Sequence, residues 1–466
     1  MRPYPSSISL LPKYHERLLV VRLQSSAVAL RAAVGGQQQL SPGMETVRRL
    51  EREGRIKQVL PIVPLTQSIL VRPRQVAFDT MSEIARQRAE QSPGAGVALL
   101  ELARDVDLED LQSGLGQDRQ NIDLVARVPA HYLLSAKPAV SPPCWALWNA
   151  RRIFLQAAMS APSFRNADDI RVAVLDTGID TEHPDLGGSV HRYARGYPDV
   201  PAISDADLVG HGTHVAGTIA AQHNTELGTG GICSCRLHVW KIFSDAPRLD
   251  PDTGVFIYTV DEVLYRRALL ECLAEQIPIL NLSIGTQGEP DQFLRELYRQ
   301  LLDLGTTVVA AVGNERLESS PVCYPAALPG VIAVGATSLD DRVADFSSAA
   351  NYISLCAPGV AIWSTLPTYP GQRGFEAVRP VSGSGLVQGK PFPREIHYGA
   401  ESGTSMAAPH VTAAAALLHA KQQGISGDEV RKRLMSTADH VSGMGALNFH
   451  PDYGGGRLNL QRLLAD

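Results

Sequence analysis

No CxxC pair and no Cys/His spacing suited to zinc occurs among the six cysteines of this 466-residue sequence, at positions 144, 233, 235, 272, 323 and 356. A zinc module and a redox dithiol motif are therefore excluded, and the cysteines are expected mostly as thiols. No apolar run approaches the ~20 residues that cross a bilayer, so no membrane span is expected. There is no basic excess either: the net charge is -5 and the pI about 6.2, which excludes nucleic-acid binding by bulk electrostatics. The first residues, MRPYPSSISLLPKYHERLLVVRLQ, lack the unbroken apolar stretch of an export signal because Lys13, Glu16, Arg17 and Arg22 interrupt them. The expected location is a reducing cytoplasm, with secretion only if the true start lies elsewhere. Internal repeats are absent, and 44% apolar with 20% charged residues excludes wholesale disorder.

What is present divides into a front and a body. Residues 1–140 carry 18 Lys and Arg against 14 Asp and Glu, a net of +4, which leaves -9 for the remainder. The front alternates strand and helix patterns: strands at 17–24, 56–65, 96–103 and 122–134, helices at 42–53 and 79–91, and a short helix from Asp107. That order is β-α-β twice with an extra helix between the halves, and it fits a small ferredoxin-like α+β unit. SAKPAVSPP, with three prolines in nine residues at 135–143, reads as an extended linker. From Trp145 the pattern becomes α/β. Apolar strand runs at 172–176, 237–243, 279–283, 307–313 and 331–336 alternate with helices at 212–222, 259–275 and 290–304. Such runs suit a mostly parallel sheet buried on both faces. The division expected is a small α+β unit over 1–140 and an α/β unit over 141–466, with a Gly-, Pro- and Ser-rich surface excursion at about 366–398.

The chemistry sits at the ends of these segments. VAVLDTGID places Asp176 at the C-terminal end of a strand, in the crevice where open α/β sheets carry their sites. GHGTHVAG places His211 at a helix start, with His214 three residues on as the rival member of a metal pair that has no convincing third ligand. AAVGNE ends a strand in Asn314, whose carboxamide offers an N–H to a developing oxyanion. SGTSMAAPHVTAAAALLHA sets Ser405 at the start of an alanine-rich helix, and Pro409 is expected about one turn in, where backbone N–H groups have no intrahelical partner to lose. A serine hydroxyl becomes a nucleophile when a neutral imidazole accepts its proton and a carboxylate orients that imidazole. Asp176, His211 and Ser405 supply these roles in that chain order.

DTGID, HGTHVAG, GN and GTSMAAPH together resemble the subtilisin-like serine proteases, over about two thirds of the chain. The sedolisin branch, which uses Glu for His and Asp for the oxyanion Asn, does not match. The resemblance implies a doubly wound, mostly parallel sheet and a serine endopeptidase acting on polypeptides through an acyl-enzyme. The competing reading is a catalytically inactive relative that binds peptides or serves as a scaffold. By the same resemblance, Ser283, Ile284 and Gly285 pair with the substrate backbone, and Ala311, Val312 and Gly313 form the opposite wall of the pocket for the residue before the cut. Cys323, ahead of Tyr324-Pro325, takes the floor where many relatives have glycine. A preference for small or medium apolar side chains follows, and Glu315 is expected to draw Lys or Arg toward the rim. Many relatives carry a structural calcium, and Asp185 and Asn224 match two ligand positions against the 6 to 8 oxygens calcium needs, so a structural calcium is possible and no metal is committed. The front unit resembles a propeptide that assists folding, occludes the cleft and is released by self-cleavage within 134–143. A regulatory or partner-binding domain is the alternative for it.

Overall fold

A computed structural model describes residues 13–23, 42–61, 97–103, 105–133, 147–161, 164–197, 204–222, 230–250, 254–380 and 385–465. The expected helix at 79–91, the linker at 135–143 and Asn224 lie outside them. In the front, β1 (Tyr14–Leu23), α1 (Pro42–Arg52), β2 (Ile56–Pro61), β3 (Val97–Leu102), α2 (Leu108–Gln117) and β4 (Ile122–Pro129) follow in order. The strands form an antiparallel sheet in the order β2-β3-β1-β4, the ferredoxin-like arrangement. Strand alternation gives it two apolar faces. Leu19, Val21 and Leu100 pack with Val47, Leu50, Leu111 and Leu115 on one side. Val20, Leu99, Leu124 and Val128 belong to a core shared with helices of the body.

The single strand expected over 122–134 is two. β4 ends at Pro129, the chain leaves the small sheet, and β5 (Tyr132–Leu133) pairs elsewhere. Two short helices, α3 (Trp148–Arg152) and α4 (Leu155–Met159), open the body. Then come β6 (Arg171–Asp176), β7 (Val190–Ala194), α5 (His211–Ala220), β8 (Arg236–Lys241), β9 (Arg248–Asp250), β10 (Val255–Ile257) and α6 (Glu262–Ala274). β11 (Ile279–Leu282), β12 (Ile284–Gly285), α7 (Gln292–Asp303), β13 (Thr307–Ala311), β14 (Ile332–Thr337), β15 (Ile353–Pro358) and β16 (Ile362–Thr365) follow. The last elements are β17 (Gln372–Val378), β18 (Val387–Pro393), β19 (Tyr398–Glu401), α8 (Thr404–Lys421), α9 (Gly427–Thr437) and α10 (Leu460–Leu463).

Seven strands form a wholly parallel sheet ordered β15-β14-β13-β11-β6-β8-β7. The switch in winding direction brings the ends of β6, β11 and β13 to one crevice. α8 lies against β11, β13, β14 and β15, and every residue from Thr404 to His419 is buried. Its run of alanines lets the backbone approach the sheet closely. Among the described residues no helix is long and apolar enough to cross a membrane.

The stretch at 366–398, expected as an irregular excursion, contains the β17–β18 hairpin. That hairpin extends β9 and β10 into a second antiparallel sheet ordered β18-β17-β10-β9. Its weak periodicity has a physical cause: β18 is an edge strand, largely exposed, and carries Pro391 and Pro393, which suit an unpaired edge.

Candidate active site

Each of the four residues sits where a backbone element ends in the crevice. Asp176 closes β6, His211 opens α5, Asn314 follows Val312-Gly313 beyond β13, and Ser405 is the second residue of α8. All four are buried. His211 Nδ1 lies 2.7 Å from Asp176 Oδ1, which also accepts a 2.7 Å bond from the Thr177 N–H. Donating Nδ1–H to the carboxylate leaves Nε2 as the basic nitrogen. Burial works against a charged His211, but the Asp176 carboxylate, with Glu401 and Asp207 farther off, outweighs it and raises the imidazole above its ordinary value.

Asn314 is oriented by its neighbour in sequence to Ser405. Its Oδ1 accepts from the Thr404 N–H at 2.9 Å and from Thr404 Oγ1 at 3.0 Å, so the NH2 is turned the other way. His211 Nε2, Asn314 Nδ2 and Asp176 Oδ2 are buried with no hydrogen-bond partner among the described residues. Unpaired buried polar atoms cost free energy and cluster where a ligand or reaction uses them. The Ser405 hydroxyl donates to the Ser283 carbonyl at 2.9 Å. A rotation about its Cα–Cβ bond redirects it, and such hydrogen bonds often tighten only in the substrate complex.

Pro409 departs from expectation. α8 starts at Thr404, so Pro409 is its sixth residue and stands inside the helix. Its missing N–H deprives the Ser405 carbonyl of an intrahelical donor. Ser283 Oγ fills the gap at 2.9 Å, and is itself approached by Asn281 Nδ2 at 3.1 Å, while Thr412 Oγ1 donates to Asn281 Oδ1 at 2.7 Å. The proline thus couples the nucleophile's own carbonyl to the strand end at Ser283.

The His211 end of the site rests on residues that no motif reading singled out. Gly210 gives α5 no capping side chain, and Asp207 serves instead. Its carboxylate accepts from Gly210 N (2.8 Å), Thr213 N (2.9 Å), Thr213 Oγ1 (2.7 Å) and Thr177 Oγ1 (2.7 Å). Thr177 Oγ1 in turn receives Gly212 N at 2.9 Å. An acid four residues ahead of a helix start was the available signal. From the second sheet, Arg394 donates to the carbonyls of Leu208 and Asp207, and Arg373 pairs with Glu401 just ahead of Ser405. His214 belongs to no metal pair: its Nε2 bonds the Ile362 carbonyl at 2.9 Å, and burial lowers its pKa and keeps it neutral.

Of the two residues matched to a calcium position, only Asp185 lies among the described residues. Asp185 is buried and its Oδ2 accepts the Tyr398 hydroxyl at 2.9 Å, and no group of three His, Cys, Asp or Glu side chains converges among the described residues.

Of the residues expected to bind substrate, Ser283 meets Ser405 directly, its Oγ and its carbonyl each bonded to that residue at 2.9 Å. β12 takes an antiparallel partner, β5, with Ile284 opposite Leu133 and Gly285 opposite Tyr132. Ala311 ends β13, and the Val312 N–H bonds the Val334 carbonyl at 3.1 Å. Gly313 has φ +110° and donates to Thr404 Oγ1 at 3.3 Å. A Cβ on Gly313 would stand 3.5 Å from the Cys323 Cβ and 2.3 Å from Glu315 Oε2. Cys323 thus lies beside Gly313, an ordinary van der Waals distance from where a side chain there would begin. Glu315, expected at the rim, is buried beneath Gly313, where Ser348 Oγ lies 3.4 Å from its carboxylate. Burial, with Glu315 beside it, pushes the Cys323 thiol up and keeps it neutral.

A parallel sheet that brings a carboxylate and a carboxamide at strand ends together with an imidazole and a serine hydroxyl at helix starts is of the doubly wound α/β class. Comparison with known proteins gives the family: the Subtilase family model matches residues 167–456, and the chain belongs to that family. It is 34% identical over 298 residues to Subtilisin amylosacchariticus of Bacillus subtilis subsp. amylosacchariticus, covering 63% of this chain and 65% of that protein. Identity to the Thermophilic serine proteinase of Bacillus sp. (strain AK1) is 35% over 275 residues, covering 59% and 57%. The chain therefore matches somewhat less than two thirds of the length of these relatives. The crystal structure of fervidolysin from Fervidobacterium pennivorans, described as a keratinolytic enzyme related to subtilisin, matches 97% of this chain and 61% of its own, with a TM-score of 0.67 and 24% identity. That likeness is one of fold.

The raised His211 sets a pH expectation. Hydrolysis through this site needs the neutral imidazole, so kcat/KM rises with pH through a pKa above about 6.5, the ordinary value. Glu401→Gln removes one raising charge and moves this limb to lower pH. A pH–rate profile of both proteins measures it, and an unmoved or opposite shift refutes the role given to Glu401.

Proposed function

We propose that this chain is a serine endopeptidase. Ser405 attacks the peptide carbonyl, His211 Nε2 takes its proton and passes it to the leaving amine, and Asp176 holds the tautomer and supports the imidazolium. The Asn314 NH2 and the Ser405 backbone N–H receive the oxyanion. The observation that carries this reading is the pair of partnerless nitrogens, His211 Nε2 and Asn314 Nδ2, each aimed by a fixed bond on its other side. Labelling of processed protein by a fluorophosphonate, at Ser405 and nowhere in a Ser405→Ala variant, is the expected test result. Unlabelled processed protein refutes it.

We further infer that the front unit is an intramolecular inhibitor and folding aid. Support comes from β5, which lies on β12 as a substrate strand does in strand-addition recognition. Paired positions sum to a constant in an antiparallel register, so a chain continuing it presents its next residue to Ser283, whose carbonyl holds the Ser405 hydroxyl. The proposed processing bond is therefore Leu134–Ser135, the first in the 134–143 window.

The nearness of Cys323 to Gly313 supports a shallow pocket that takes small or medium apolar side chains. Cys323→Gly is expected to raise cleavage after Phe and Tyr about 10-fold relative to Ala and Val. A peptide-library profile reads this out, and wild-type cleavage already dominated by large aromatics contradicts the pocket assignment.

A further inference from the structure

The register of β5 on β12 also locates a second side-chain site. Counting back three residues from the position opposite Ser283 reaches His131. The His131 carbonyl accepts from the Val260 N–H at 3.5 Å, so the segment runs between Val260 on one side and β12 on the other. The His131 side chain is only 1% exposed. Its Nδ1 lies 2.7 Å from Glu262 Oε1, and its ring meets the Tyr265 ring edge-on at 4.8 Å between centroids.

Glu262 is built for this contact. It is the first residue of α6, with no side-chain exposure, and its other oxygen is bound by Arg266, which also holds Asp291. Two buried carboxylates thus share one guanidinium. The unmatched negative charge faces His131 and, at 3.8 Å, the His15 imidazole of β1. Both imidazoles belong to the front unit. When that unit leaves, Glu262 Oε1 keeps no partner among the described residues. Stranding a buried carboxylate is costly, and an apolar or acidic occupant leaves it stranded. The carboxyl is held well below the ordinary carboxylate range: burial raises it, but His131 and Arg266 outweigh that.

Resting on the endopeptidase reading, we propose that Glu262, with Tyr265, forms a subsite that selects a basic side chain, histidine foremost, at the fourth residue before the cut. His131 fills it in the unprocessed chain.

Processed wild-type and Glu262→Gln proteins are assayed on internally quenched peptides that differ only at this fourth position. For wild type, kcat/KM is expected to be about 10-fold or more higher with His or Lys than with Leu or Glu, and Glu262→Gln brings the ratio near unity. A Leu peptide cleaved as well as the His peptide by wild type, or a ratio that survives Glu262→Gln, overturns the proposal. A second measurement needs no activity and leaves the Glu262, Arg266 and Asp291 cluster intact. In full-length Ser405→Ala protein, His131→Lys is expected to keep the amide-exchange protection of residues 131–133, and His131→Leu to speed exchange about 10-fold. Equal protection in the two variants overturns the subsite. If wild type cleaves neither these peptides nor casein, the endopeptidase reading fails and the exchange result alone judges the subsite.

Discussion

Ser405→Ala is expected to leave the protein at its full 466 residues, with no processing at Leu134–Ser135 and hydrolysis of added peptides abolished. The magnitude is borrowed from subtilisin itself, where loss of the serine lowers kcat about 10^6-fold. The physical reason is that no other group replaces the attacking oxygen, while the oxyanion donors and the substrate strand remain. The fold should tolerate the change. The hydroxyl makes one bond, to the Ser283 carbonyl at 2.9 Å, and losing it costs about 1 kcal/mol, a shift of a few degrees in Tm at most. The Ser405 carbonyl keeps its bond from Ser283 Oγ, so α8 stays anchored. Intact mass and a peptide assay suffice. Processing of the Ser405→Ala chain at the same bond shows that another enzyme cuts it and refutes self-cleavage.

What local sequence encodes and what it does not divides along a physical line. Asp176, His211, Asn314 and Ser405 were legible because each ends a segment whose type is written locally, in an apolar strand run or a glycine-marked helix start. The parallel sheet was legible for the same reason: runs such as ILNL and TVVAA are buried on both faces. β7, with its half-exposed pattern, does not give that signal. Supports that arrive from distant segments carry no local mark. Nothing near Pro409 announces that Ser283, 122 positions before Ser405, will satisfy the carbonyl it strands. Nor does the Gly- and Pro-rich stretch at 366–398 announce that Arg373 and Arg394 reach Glu401 and the carbonyls ahead of His211. The β17–β18 hairpin becomes a sheet because β10 offers an edge, and that pairing is tertiary. The turn of the chain at Pro129 is another such case, since β5 is defined by β12 and by nothing in its own composition.

Asp176→Asn removes charge while keeping shape, and its expected effect is second only to loss of the nucleophile. Asp176 is fully buried and bonds His211 Nδ1 and the Thr177 N–H through one oxygen. An amide in its place has two settings. With its oxygen toward both donors, the tautomer survives but the imidazolium formed during attack loses its counter-charge. With its NH2 toward Nδ1, the proton moves to Nε2, and the base can no longer accept from Ser405. Either setting lowers kcat, by about 10^4-fold in the well-studied serine proteases, with KM nearly unchanged because a fully buried carboxylate meets no substrate. The pH limb moves as well. Burial alone pulls His211 down, and Asp176 is the largest of the charges that raise it, so the residual activity of Asp176→Asn should titrate at lower pH than that of wild type. Glu401 and Asp207 remain in place and limit this movement, and the double variant Asp176→Asn, Glu401→Gln should go further in the same direction. A kcat loss below about 10-fold, or a limb that moves to higher pH, excludes Asp176 as the orienting carboxylate and leaves His211 to be set by its other acidic neighbours.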